Sequence, residues 1–388
     1  MKSLLTLLAF SIVFTATQAV AEVRDWTKGD VTIRAEYISQ SDGQVTIRKE
    51  GREFQIDIAT LSQEDRDWLS RQQSKSGGNG QGIYIAIGNG LHRLSSLDGR
   101  VWTNVENAGK PGHDQNDLKS IATGNSVCVA VGGFSKSNIL TTSDGIAWHK
   151  NEFNIGVLSG VIFTDGHFFA FGESGRVAKS RDGLEWIQVG DAKQRDHLAA
   201  EAQELGLEKP VKSNIRSWRL ANGIFTGSGD NGFIVSTKDF ENWTFAKRIE
   251  PQSRLYIETD GKGFVVKGDN TLHYSEDAVN WTDVTPPEAP VSKYMRLEHD
   301  GKRYVANDRK GQGWESSDGQ KWQKIEGATF PGIVSLVRPD LYYAFKNYWE
   351  YTEEFQVSTD RGKSWENCEI PAPVGVTHVI FAEGFPGW

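Results

Sequence analysis

The sequence predicts an all-β chain: a seven-bladed β-propeller closed by its C-terminal strand, with a small β-rich module ahead of it. Three observations carry this. A Ser/Thr-x-Asp turn with a Trp four or five residues after the Asp recurs seven times. Each recurrence sits in a unit of short apolar runs separated by Gly-containing turns. The 41 glycines, 13 tryptophans and 19 phenylalanines suit many tight turns packed by aromatic side chains. The 388 residues are 38% hydrophobic and 24% charged, an ordinary globular balance. A formal net charge of -8 argues against a nucleic-acid partner, which needs a basic face. Two cysteines exclude a disulfide scaffold or a Cys-rich zinc module. The 8 histidines show no ligand spacing, so neither a metal nor a cofactor is expected.

Residues 1–21 read as a signal peptide. Lys2 supplies the basic start, Leu4 to Phe14 the apolar run, and Ala19-Val20-Ala21 the small residues before cleavage. That run is too short for the roughly 20 residues of a membrane span. The mature protein is therefore expected to be exported, periplasmic or secreted, without integral membrane association.

Residues 22–70 form the small module. Val31 to Ile38, Val45 to Ile47 and Phe54 to Ile58 alternate apolar and polar residues, as half-buried antiparallel strands do. Asp42-Gly43 and Glu50-Gly51 supply the turns between them, and Ser62 opens a short helix carrying Trp68 and Leu69. The ordered string Arg24-Asp-Trp-Thr27, Ile33-Arg-Ala-Glu36, Val45-Thr-Ile47, Leu61-Ser-Gln-Glu-Asp65 and Trp68-Leu69 resembles the Sla homology domain, an SH3-like barrel. The resemblance implies protein or peptide binding. Residues 71–81 (RQQSKSGGNGQ) lack apolar side chains and read as a flexible linker.

Residues 82–388 carry the repeat. Its aspartates are Asp98, Asp144, Asp182, Asp239, Asp277, Asp318 and Asp360, followed by Trp102, Trp148, Trp186, Trp243, Trp281, Trp322 and Trp365. A short carboxylate can accept its own hairpin's N–H groups, Gly supplies the positive φ, and Trp fills the space beneath. The pattern resembles the Asp-box (BNR) repeat of sialidase-like β-propellers. That resemblance implies that these seven aspartates stabilise hairpins and do not catalyse. The first unit begins directly at a second strand, Ile83 to Ile87, while Val376 to Ala382 follows the last box as an unmatched first strand. Joining the two closes the ring and removes the sheet edges.

Strand order sorts the loops by face. The boxes occupy one face; the second-to-third-strand loops and the connections between units occupy the other, where a ligand is expected. That face collects Glu173, Asp230, Asp269 and Asp308, with Asn231, Asn270, Arg309, Tyr348, Trp349, Lys110, His113, Asp114 and Asp117. Residues 196–206 read as a helix with Asp196 as N-cap and Gly206 as C-cap, either a lid over the channel or a cover for the third and fourth units. Trp281 is expected to be a deeply buried plug.

Arg216, Arg254 and Arg296 lie on first strands of successive units. Counted back from the following turn, Arg216 and Arg254 match in depth while Arg296 lies two residues closer. Sialidases clamp a carboxylate with three arginines, so the resemblance raises a glycoside hydrolase. The Phe/Tyr-Arg-Ile-Pro motif is absent, and no Tyr–Glu partnership can be picked out of the sequence. The leading expectation is a non-enzymatic binding or scaffold protein for a protein or glycan ligand, with Arg216, Arg254, Arg296, Glu173, Asp230, Asp269 and Asp308 as candidate ligand residues. A divergent sialidase-like glycosidase and an assembly factor for an envelope complex are the alternatives.

Overall fold

The computed structural model of the chain describes residues 23–29, 31–41, 44–49, 51–62, 65–66, 68–69, 82–106, 116–287, 291–308, 311–346, 351–383 and 385. The expected signal peptide and linker, and Lys110, His113, Asp114, Arg309, Tyr348 and Trp349, lie outside them. The chain divides into two compact units between residues 76 and 77. No helix among the described residues is long and apolar enough to cross a membrane.

The first unit is an antiparallel meander of Val23–Lys28, Val31–Ser41, Gln44–Lys49 and Arg52–Asp57. Trp26, Ala35, Val45, Ile47, Leu61 and Leu69 form its core. A polar tie crosses that core. The Asp65 carboxylate, 2% exposed, accepts the Thr27 N–H at 2.8 Å and the Ser62 hydroxyl at 2.6 Å, and lies 2.9 Å from the Arg24 guanidinium. Arg24 in turn lies 4.3 Å from the Trp68 ring and 5.0 Å from that of Trp26. Arg24, Trp26, Asp65 and Trp68 are thus one packed assembly.

The second unit holds seven four-stranded antiparallel sheets among its described residues. Their inner strands are Leu118–Gly124, Leu158–Thr164, Ile215–Ala221, Tyr256–Thr259, Arg296–His299, Ile333–Arg338 and Val376–Ala382. Each lies against the next, and Val376–Ala382 lies against both Ile333–Arg338 and Leu118–Gly124, so the succession closes on itself. That last strand pairs with Ile83–Gly88 from Val376↔Gly88 to Ala382↔Ile83. The fold is a β-propeller. Its apolar cores lie between neighbouring sheets: Tyr84, Trp102, Tyr343, Phe345 and Phe355 pack together between the last sheet and the closing one.

Inner strands leave free N–H groups toward the ring axis, and side chains of the preceding sheet satisfy several. Ser120 accepts from Val161 at 3.1 Å, Ser217 from Ile257 at 3.2 Å, Glu298 from Leu336 at 2.8 Å and Ser335 from Val379 at 3.0 Å.

Two local expectations need correction. The helix, α1, spans Gln194–Glu204 and starts after Lys193, so Asp196 sits in its first turn and is not the N-cap. Its C-terminal stop follows the Schellman pattern: Gly206 has φ +65, its N–H donates to Gln203, and Leu207 donates to Ala202. Leu198 packs in one cluster with Phe233 and Val235, His197 stacks 3.7 Å from Phe245, and Glu201 pairs with Arg248. These contacts seat α1 on the outer half of the sheet whose inner strand is Ile215–Ala221, away from the channel. Trp281 is only partly buried; among the box tryptophans Trp102 is enclosed to 1% exposure. Cys128 and Cys368 are free and lie in different cores.

Candidate functional site

Four of the seven candidate ligand residues converge where the inner strands begin. Arg216 grips Asp230 with a two-pronged fork, Nε to Oδ1 at 3.2 Å and Nη2 to Oδ2 at 2.8 Å. Its Nη1 donates to Glu173 Oε1 at 3.2 Å. Arg254 reaches the same Asp230 Oδ1 from the next sheet, through Nε at 2.9 Å. Lys119 completes the set with Nζ 3.2 Å from Glu173. Lys119, Glu173, Arg216, Asp230 and Arg254 therefore alternate in sign across four successive sheets.

Backbone irregularity aims these side chains. The pairing of Ile215–Ala221 with its neighbour skips Arg216, and that of Leu118–Gly124 skips Lys119. Both are bulged residues, turned out of the ladder by the extra length of chain. The bulge brings Asn214 so close that a Cβ on Gly229 would lie 1.9 Å from its carbonyl oxygen. Gly229 is therefore a packing requirement, and it delivers Asp230 into the following turn, where the Asp230 N–H donates to Asn214 O. Burial alone would raise the Asp230 carboxyl; Arg216 and Arg254 outweigh it and hold it below the ordinary carboxylate range.

The other candidates lie elsewhere. Arg296 does not join Arg216 and Arg254; it pairs with Glu298 at 3.2 Å on its own strand. Asp308 accepts the Gln312 N–H at 2.9 Å and closes its own loop. The Asp269 N–H donates to Glu250 at 2.8 Å in a turn where Glu250 also accepts from Asn270, Thr271 and Ser253. Lys267, fully enclosed, donates to Ser292 O at 3.0 Å; burial lowers its ammonium to about 8 against the opposing pull of Asp269 and Glu250.

Farther along the inner strands lies a second charged group that sequence reading missed. Arg219 forks onto Glu258 at 2.6 and 2.7 Å. Burial raises the Glu298 carboxyl, while burial together with Arg296 and Arg219 lowers His378 to about 3. His378 is neutral at ordinary pH and this group is internally compensated. Its only sequence signal is the run of charged residues on strands expected to be apolar.

On the opposite face all seven box aspartates bind their own hairpins. Asp98 Oδ1 accepts the Arg100 and Val101 N–H groups at 2.8 Å, and Asp144 accepts those of Ile146 and Ala147 at 2.8 Å. Asp182, Asp239, Asp277, Asp318 and Asp360 repeat the pattern. Hydrogen bonds from Asn242 lower the Asp239 carboxyl to about 2, and those from Ser364 do the same for Asp360.

No family model matches the chain, and no curated protein gives a significant match. Solved structures place it among β-propellers. YCF48 from Cyanidioschyzon merolae is similar with a TM-score of 0.50 at 13% identity, over 71% of this chain and 88% of that one. A structure of YCF48 bound to D1 peptide has a TM-score of 0.48 at 13% identity, over 68% and 85%. The WD40 β-propeller domain of Doa1 has a TM-score of 0.44 at 10% identity, over 76% and 88%.

Proposed function

We propose that this is an exported, non-enzymatic binding or scaffold protein, periplasmic or secreted: an SH3-like Sla homology module joined to a seven-bladed Asp-box propeller. The propeller recognises a protein or glycan ligand through an anionic group at the mouth that carries Arg216 and Arg254. The observation that supports this reading is the alternating network itself. Three cations, Lys119, Arg216 and Arg254, face two carboxylates, Glu173 and Asp230, leaving one positive charge in excess. Arg254 joins that network through Nε, also hydrogen-bonds the Tyr256 side chain, and is 53% exposed, so it is the cation of the network most open to a ligand. The seven box aspartates, all turned into their own hairpins, serve as structural ties in this reading.

A sialidase-like hydrolase is the weaker alternative, because Asp230 fills the fork of Arg216 and Arg296 is engaged with Glu298. The assembly-factor reading is a special case of scaffold binding, its ligand being a subunit of an envelope complex.

The test uses an acidic-peptide panel and a glycan array. Arg254→Ala is expected to cost about tenfold or more in affinity with little change in melting temperature. Asp144→Ala should lower the melting temperature and spare affinity. Equal losses of binding in the two variants would place the site on the wrong face. Glycoside turnover abolished by Arg254→Ala would establish the hydrolase instead.

A further inference from the structure

We infer that the first unit self-associates through its edge strand Arg52–Asp57, two copies pairing antiparallel about a two-fold axis at Phe54. The strand is the last in its sheet, with Gln44–Lys49 as its one neighbour. Its other side presents main-chain donors and acceptors that no other described strand covers, the ordinary template for strand addition. Phe54 stands opposite Ile47 in the register and therefore on the core face, yet it is 49% exposed whereas Ile47 is 1% exposed. The apolar face thus runs out to the open edge and stops there uncovered.

The strand's own sequence selects its occupant and register. A two-fold axis perpendicular to the sheet pairs residues of like parity, so the central axis can fall on Glu53, Phe54 or Gln55. An axis at Glu53 opposes two identical carboxylates. An axis at Gln55 sets Glu53 against Asp57 of the second copy, again like charges. An axis at Phe54 opposes Phe54 with Phe54, Glu53 with Gln55 and Arg52 with Ile56. That register has no like-charge pair and adds an aromatic pair on the core face, the arrangement that stabilises adjacent strands. The result is a continuous eight-stranded sheet whose uncovered phenyl rings cover one another.

Sedimentation velocity of the full chain across micromolar concentrations should show a reversible monomer–dimer equilibrium. Phe54→Lys opposes two ammonium groups on the axis and should weaken it by about tenfold or more. In a second variant, Phe54→Cys, mild oxidation should give a disulfide-linked dimer, while Gln55→Cys should not, because that position faces Glu53 across the pair. Circular dichroism checks that each variant folds. A chain that stays monomeric throughout overturns the inference. So does a dimer that Phe54→Lys leaves intact, or cross-linking equal at the two cysteine positions.

Discussion

Asp65→Ala is expected to unfold the first unit while leaving the propeller untouched. The carboxylate is almost fully enclosed, accepts two hydrogen bonds and faces the Arg24 guanidinium at 2.9 Å. Removing it strands the Thr27 N–H and leaves an unpaired cation between two indoles. Breaking a buried ion pair from one side costs about 3–5 kcal/mol. A domain of this size commands only about 3–7 kcal/mol in total. The variant module should therefore sit near its unfolding midpoint. Amide hydrogen exchange read on peptides covering 23–57 should lose about a hundredfold or more of its protection, with peptides from the seven sheets unchanged. Arg24→Met combined with Asp65→Leu removes both charges at nearly constant volume and should recover most of the protection. A loss below about tenfold in Asp65→Ala, or a double variant as weak as the single one, would refute the claim that this pair ties the module together.

Trp102→Ala should destabilise the propeller by about 3–5 kcal/mol and the partly buried Trp281→Ala by roughly half of that; equal shifts in calorimetry would mean that burial does not set the cost. Acid should act through the box hairpins. The depressed carboxyls of Asp182, Asp239, Asp277, Asp318 and Asp360, with Asp239 and Asp360 at about 2 against an ordinary 3.8, contribute stability above about pH 4 that is lost as pH falls toward 2. Melting temperatures across that window should drop steeply, and Asp239→Asn should flatten the slope; a slope unchanged in that variant would assign acid lability to other groups.

The repeat was legible because everything that makes a box hairpin lies within seven or eight residues of chain. Side-chain oxygen, left-handed turn residue and Trp all act locally, and the turn chemistry shows in the sequence. Register counting also carried information: Arg216 and Arg254, six residues before their turns, do meet at Asp230, while Arg296, two residues nearer its turn, finds Glu298. Partners brought together by the ring were not legible. Lys119 reaches Glu173 over 54 residues and Arg219 reaches Glu258 over 39, and no local pattern encodes either pair. Arg24 with Asp65 escaped for the same reason, although both lie in the string that flagged the module. The start of α1 was misplaced because Asp196 has the chemistry of a cap, whereas Lys193, two residues past the preceding strand, takes a left-handed conformation that no propensity announces.

The pairing of Val376–Ala382 with Ile83–Gly88 sets a timetable for biosynthesis. A ribosome adding about 5–20 residues per second needs roughly 15–60 s to travel from one partner to the other. Throughout that interval the apolar strand Ile83–Gly88 has its inner flank bare, so the nascent propeller carries an aggregation-prone edge longest at the strand it made first. A holdase that binds extended apolar segments would have most to do there, and a truncation that removes Val376–Ala382 would prolong the exposure indefinitely.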